Sequence, residues 1–516
     1  MYNSSMNEDV LKKYWYYIIL VVIIFILLLI GADNKNDNTK LWCMGNKINL
    51  SDNLYVENDN YYISLEDLEK CFSKNVFYDK ISNKLIIVTW DNVLKLKESD
   101  EIKHENKIWY SIDYIADKLG LDVVTDNNGI YLYNKKYINA KIKSFRIELC
   151  ELESNNVIKI INKKDSIKII EDENLTNSNK YVNVIVNSNK KNTVGKILKS
   201  KLEYDYIKEE QSNSLDKQII VTIQDKLSSN TDLSKVTGIA AYALRFSYEN
   251  KIVQEKISIP KGYKGKVYAI LTNGYKLSNF DTDILTYMLN SDENKEKTIK
   301  SVVDYLNKNN LEAIVLDIKN FNNSDRDLLT QYIKELSASL HKNDKKIYVN
   351  VENTLSIDIE GINEFVDYII VQAYGQRTLY SKTSGAYSDV TFVKNFIEKI
   401  KNMGISSDKL ILEISPVSLL FSVRAGTIID VEMYDMTSAN EYVKLNNLQL
   451  LTDNKNKMHY IDYKKGIVTY KMFIEDEYSI KEKINLAKEN KIMGISIYKS
   501  GYETKNVYDI ISKGLE

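Results

Sequence analysis

The chain has 516 residues, with 70 Lys plus Arg against 71 Asp plus Glu, a formal net charge of −1 and 44% hydrophobic residues. That balance excludes a disordered or collagen-like chain, and it leaves no basic surplus for a general nucleic-acid binder. At ~100–200 residues per domain the length predicts about three or four domains.

All four Trp (Trp15, Trp42, Trp90, Trp109) fall in the first quarter of the chain, and both Pro (Pro260, Pro416) in the second half. Three Cys (Cys43, Cys71, Cys150) are too few for a disulfide framework, and the odd number leaves at least one unpaired. His104, His341 and His459 are dispersed without ligand spacing. No metal centre and no cofactor are expected.

Residues 14–32 form an uncharged run, YWYYIILVVIIFILLLIGA, close to the ~20 residues that cross a hydrocarbon core as helix. Tyr14, Trp15, Tyr16 and Tyr17 open it as an interfacial belt, and Lys12 and Lys13 precede it. The core is longer than a signal peptide's, with no A-x-A site after it. The pattern predicts a cytoplasmic tail over 1–13, a transmembrane signal anchor over 14–32 and an extracytoplasmic remainder, as on a Gram-positive cell surface or spore envelope.

Residues 45–134 contain an internal repeat, YYISLEDLEKCFSKNVFYDKISNKLIIVTW at 61–90 and IWYSIDYIADKLGLDVVTDNNGIYLYN at 108–134. Each copy has an aromatic pair, a Ser that reads as a helix start, a short amphipathic helix and two alternating strands around a polar turn. Asp79 and Asp126 occupy matching places in the two turns. The pattern resembles the repeat named the copper amine oxidase N-terminal or stalk domain. It implies a small α+β spacer or wall-facing adhesion module, and no copper.

Residues 140–204 read as five or so short strands. VIKIINKKDSIKIIED and KYVNVIVNSNKKNTVGKILKSKL resemble a bacterial SH3-like β-barrel, with Lys164-Asp165, Tyr181 and Gly195-Lys196-Ile197 at its motif positions. Such modules bind wall peptides or act as spacers.

From 215 to 516 apolar strands alternate with amphipathic helices. Strands are predicted at 238–246, 266–273, 313–320, 346–353, 368–375, 409–416 and 493–501, with helices at 297–310 and 326–343. Seven or eight such units over about 280 residues favour a closed (β/α)8 TIM barrel, whose function gathers where strands end.

The run NNLEAIVLDIKNFNNSDRDLLTQYIKELSASLHKNDKKIYVNV, with FVDYIIVQAYG and FIEDEYSIKEKINLAKENKIMGISIYKSGYE downstream, resembles glycoside hydrolase family 18, bacterial wall and spore type. That family carries D-x-x-D-x-D-x-E on its strand. The Glu protonates the glycosidic oxygen, and the Asp before it orients the substrate's N-acetyl group, which is the nucleophile. Here the four positions are Glu312, Val315, Asp317 and Lys319. The family's Met-x-Tyr-Asp becomes Gln372, Tyr374 and Gly375, and its last-strand Trp becomes Tyr498.

An ammonium of reference pKa about 10.4 is a poor acid at neutral pH. Beside Asp317 its charge is favoured, so a Lys319–Asp317 ion pair is expected. Loss of the general acid removes roughly 10²–10⁴-fold of rate. Glu352 and Glu413 stand near strand ends as substitute acids, and Gln372 and Tyr498 as binding residues. For Asp317 and Tyr374 a buried structural role stands beside ligand contact. No Trp is left for the barrel, so its sugar contacts fall to Tyr and Phe. Residues 421–465 read as a polar insertion forming a lid or a partner surface.

The resemblance implies binding of an N-acetylglucosamine-containing cell-wall glycan by an impaired barrel. An active glycosidase with a displaced acid, and a non-catalytic envelope or spore scaffold with a protein partner, are the alternatives.

Overall fold

The computed structural model describes residues 39–72, 75–170, 180–204, 217–249, 252–275 and 279–515. The tail and anchor expected over 1–32 lie outside the described residues. Among the described residues no helix is long and apolar enough to cross a membrane. The chain divides into two units, 1–76 with 96–207, and 77–95 with 208–516.

In the first unit each repeat copy runs from strand to helix through a serine. Ser64 Oγ accepts from the N–H of Asp67 at 3.3 Å, and Ser111 Oγ from that of Tyr114 at 3.2 Å. Each hydroxyl thereby satisfies one orphan donor of the first turn. The helices are Leu65–Phe72 and Ile112–Leu119, the second ending on Gly120 at φ 70°, the left-handed geometry that closes a helix. The strands that lead in, Asn60–Ser64 and Lys107–Ser111, pair antiparallel, so the two copies share one sheet.

The described residues within 137–203 form a seven-stranded sheet, two strands more than the pattern suggested, and beginning at Tyr137. Leu149, Ile161, Ile169, Val182, Val184 and Val186 are fully buried in its core.

The second unit is built on eight parallel strands: β1 (Gln218–Ile223), β2 (Gly238–Arg245), β3 (Lys266–Thr272), β4 (Ala313–Asp317), β5 (Lys346–Glu352), β6 (Tyr368–Gln372), β7 (Leu410–Ile414) and β8 (Gly494–Ile497). They pair in order, and β1 pairs with both β2 and β8, which closes the barrel. Continuous apolar runs suit strands covered on both faces. β1 is the strand that the sequence reading did not place; its run QIIVTI follows a polar stretch of sequence. The other boundaries agree within a few residues, and Lys319 lies just beyond the end of β4 rather than in the strand.

Tyrosines fill the lower interior. Tyr268 and Tyr348 pack with ring centroids 5.1 Å apart, Tyr348 and Tyr368 at 4.8 Å, and the Tyr348 hydroxyl donates to Gln218 at 3.0 Å. Gly238 is required beside them: a Cβ there would stand 2.5 Å from the Tyr268 ring.

Two outer helices are used below, α1 (Asp292–Lys308) and α2 (Arg326–His341). Against them lies the hairpin of the first repeat copy, whose residues 77–95 belong to this unit. Ile86 and Val88 bury themselves against Ala338 of α2 and Phe365. Trp90 stacks on His341, centroids 3.6 Å apart, and its carbonyl accepts from the imidazole at 2.9 Å. Trp90, a residue of the repeat, thus packs on an outer helix of the barrel and not at its mouth.

The polar insertion expected over 421–465 is larger and more ordered. From Val417 to Ile474 the chain forms a five-stranded antiparallel sheet and a helix, Met436–Leu445. One sheet face, with Leu420, Ile461 and Met472, packs on that helix. The other, with Leu419 and Phe421, packs on Tyr387 and Tyr502. The buried pair Glu475–Lys483, N–O 2.6 Å, lies where the sheet returns to the barrel.

Candidate functional site

Alternate residues of a barrel strand point inward, so the last inward residues of β2, β4, β5, β6, β7 and β8 meet at the C-terminal mouth. Asp317, at the end of β4, is fully buried. It accepts from the Tyr242 hydroxyl at 2.7 Å and from Asn350 Nδ2 at 3.0 Å.

Lys319 follows with its backbone clamped by Asn273, which accepts the Lys319 N–H at 3.0 Å and donates to its carbonyl at 2.8 Å. Its Nζ lies 3.5 Å from Asp317, 3.6 Å from Glu352 and 5.5 Å from the Phe280 ring centroid. Burial works against the ammonium. Asp317 above all, then Glu352 and Glu413, outweigh that penalty and hold its pKa above the ordinary lysine value. The expected ion pair is present, and it is shared with a second carboxylate.

Glu413, on β7, is 1% exposed. It accepts from Gln372 Nε2 at 2.9 Å, the Tyr374 hydroxyl at 2.7 Å and Ser496 Oγ at 2.9 Å. Burial pushes its pKa up despite these donors, and the charge of Asp317 adds to the rise. All three donors come from within the barrel, so this carboxyl organises its neighbours. Glu352 is the carboxylate with solvent access, its side chain 40% exposed.

Tyr374 is half-buried and stacked on both sides, with Tyr387 at 5.8 Å and Tyr498 at 5.6 Å between centroids. Tyr498 lies close to Tyr242, whose hydroxyl donates to Asp317. Burial raises the pKa of Tyr242, Tyr374 and Tyr498 alike, with nearby carboxylates adding to it, so all three stay neutral phenols at neutral pH. Gln372 is buried; its Oε1, like Asn350 Oδ1, has no hydrogen-bond partner among the described residues.

The sequence-predicted residues Asp317, Lys319, Glu352, Gln372, Tyr374, Glu413 and Tyr498 thus gather at one mouth. Sequence reasoning missed Tyr242, Asn273, Asn350, Tyr387 and Ser496. Parity was the available signal for two of them: Tyr242 follows inward-facing Ala240, and Asn350 precedes Glu352 by two. Among the described residues no group of three or more potential metal ligands is present.

Residues 274–503 match the family described as Glycosyl hydrolases family 18. The uncharacterized glycosylase YvbX of Bacillus subtilis (strain 168) is 22% identical over 301 residues, 54% of this chain and 85% of that protein. Among solved structures, the spore cortex-lytic enzyme SleL of Bacillus cereus matches with TM-score 0.51 and 15% identity, over 58% of this chain and 74% of that one. A mutant class V chitinase from Nicotiana tobaccum in complex with NAG4 matches with TM-score 0.50 and 12% identity, over 58% and 99%. At such identities the structural likeness shows the fold. Residues 274–503 are thus similar to family 18, and the eight-stranded parallel barrel of the C-terminal part of the chain is the fold it shares with these structures.

Proposed function

We propose that this family 18 barrel binds an N-acetylglucosamine-containing cell-wall glycan and does not hydrolyse it in the ordinary way, as the outer part of a membrane-anchored surface protein. The reading rests on Lys319. It stands at the motif position of the family's proton donor, and its charge is held by Asp317 and Glu352. A cation whose pKa lies above the ordinary lysine value does not protonate a leaving oxygen at neutral pH. The buried, unpartnered acceptors Asn350 Oδ1 and Gln372 Oε1 favour a ligand that brings N–H or O–H donors. The stacked Tyr374, Tyr387 and Tyr498 supply aromatic surface in place of Trp. The apolar run 14–32, long enough to cross a hydrocarbon core as helix, supports anchoring at the membrane.

Titration with an N-acetylglucosamine oligomer, alongside turnover of a labelled muropeptide, tests this. Binding without turnover supports the reading. Turnover at rates typical of chitinases overturns the impairment, and absence of binding overturns the ligand.

One observation favours a scaffold as the second reading. Asp317 and the Tyr374 hydroxyl, which hold the N-acetyl group in the family, are already engaged by Tyr242, Asn350 and Glu413. A pull-down on purified wall separates the two, because a scaffold alone is not retained through the barrel.

A further inference from the structure

We infer that the two repeats within 45–134 are docking modules rather than spacers: the hairpin of each copy fastens a different neighbouring domain through the same positions, and the turn aspartate is the fastener. In the first copy one oxygen of Asp79 closes its own turn, accepting the Ile81 N–H at 2.9 Å; the other accepts from Ser82 Oγ of the turn at 2.9 Å and reaches out to Lys295 Nζ of α1 at 2.8 Å. In the second copy one oxygen of Asp126 accepts the Asn128 N–H at 2.7 Å; the other takes the Val194 N–H of the seven-stranded domain at 2.8 Å. In both copies one oxygen closes the turn and the other reaches the neighbouring domain, within two separate units.

The apolar contacts repeat as well. Two residues before the aspartate stand Phe77 and Val124, and both pack outward. Two and four residues into the return strands, which start at Lys84 and Gly129, stand Ile86 and Val88 in one copy and Tyr131 and Tyr133 in the other. The first set packs on Ala338 and Phe365 of the barrel unit, the second on Ile170, Ile185 and Val194. A spacer repeat has no reason to turn equivalent side chains toward two unrelated partners.

The partners differ in chemistry. The seven-stranded domain offers a backbone N–H. The barrel offers a buried lysine, with Asp79 and Lys295 at 0% and 1% side-chain exposure, and a charged rim. On that rim Lys84 and Lys95 meet Asp292 at 3.0 and 2.6 Å, and Lys95 meets Glu335 at 3.2 Å. An unpaired buried charge is costly; the hydrogen-bonded partner of this buried lysine of α1 comes from the stalk hairpin, with Asp292 of its own helix farther off at 4.0 Å. Residues 77–95 accordingly belong to the same compact unit as 208–516.

Hydrogen exchange on the full chain tests this with Asp79→Asn and Asp126→Asn. The first is expected to accelerate exchange in 84–88 and in α1 and α2 on the order of a hundredfold, leaving 181–198 unchanged. The second is expected to accelerate 129–134 and 181–198, leaving α1 and α2 unchanged. Acceleration confined to the turns, or spread alike over both domains in either variant, overturns the proposal. If Asp79→Asn does not fold, the wild type under rising denaturant decides. Amides of 84–88 opening together with α1 and α2 support docking; their opening with the helix Leu65–Phe72 while α1 and α2 stay closed overturns it.

Discussion

Lys319 Nζ stands 3.5 Å from the buried carboxylate of Asp317 and is shared with Glu352 at 3.6 Å. One cation thus answers two acids across the mouth of the barrel. Both acids help hold it charged, so the position that would have to release a proton is the one least able to.

Replacing Lys319 by Glu reverses that relationship. A third carboxyl beside Asp317 and Glu352 has its pKa raised by like charges, which is the state a general acid needs. Hydrolysis of a labelled chito-oligosaccharide is expected to rise by on the order of 10²–10⁴-fold over wild type. Lys319→Met removes the charge without supplying an acid and is expected to gain nothing. Equal rates in the two variants would show that the charge, and not the missing acid, limits the site.

Glu413 carries a pH signature. Its folded pKa lies above its unfolded value of about 4.3, so the folded state holds this proton more tightly. Its contribution to stability is fully present below pH ~4.3 and is lost as pH rises through the folded pKa. Glu413→Gln cannot ionise and escapes that loss. The difference in Tm, variant minus wild type, is therefore expected to become more positive from pH 4 to pH 7. A difference that is flat with pH would contradict the shift.

Much of the barrel was legible because its signal is local. Apolar runs such as AIVLD and YIIVQ alternate with amphipathic stretches, and strand parity carried the acids to one end. Asp317 and Lys319 were readable through the resembled family motif, and Glu352 through its place near a strand end. What was not legible depends on partners distant in sequence. Lys295 sits in a charged stretch, DENKEKTIK, that reads as a solvated helix face, yet its carboxylate partner Asp79 lies 216 residues away. Tyr387 lines the mouth only because the insertion sheet packs against it. The insertion read as polar because its strands alternate, hiding one apolar face in a sequence average.

The buried pair Glu475–Lys483 gives a stability test remote from the mouth. Both side chains are 1% exposed, and both carboxylate oxygens receive Nζ, at 2.7 and 2.6 Å. Burial raises the pKa of Glu475 against the pull of the lysine, so the carboxylate depends on that partner. Lys483→Met is expected to cost about 3–5 kcal/mol in urea unfolding. Adding Glu475→Leu to it is expected to recover part of that loss, because a buried pair replaced by apolar side chains is often neutral. Additive losses would mean that the two residues act independently.

The floor of the barrel makes the last prediction. Gly238 opens β2 against the Tyr268 ring, and an added Cβ would meet ring carbon at 2.5 Å. Tyr268 cannot simply swing away, since Tyr348 packs against it at 5.1 Å and is itself held by Gln218. Gly238→Ala is therefore expected to destabilise by about 1–3 kcal/mol, the usual cost of overpacking a closed core. Tyr268→Ala removes the obstacle but leaves a cavity of its own, at about 3–5 kcal/mol by analogy with the large aromatic truncations. In the double variant the clash is absent, so its loss should fall short of the sum of the two single losses by most of the Gly238→Ala cost. Thermal unfolding of the four proteins measures that coupling, and strict additivity would place the glycine's role elsewhere than against Tyr268.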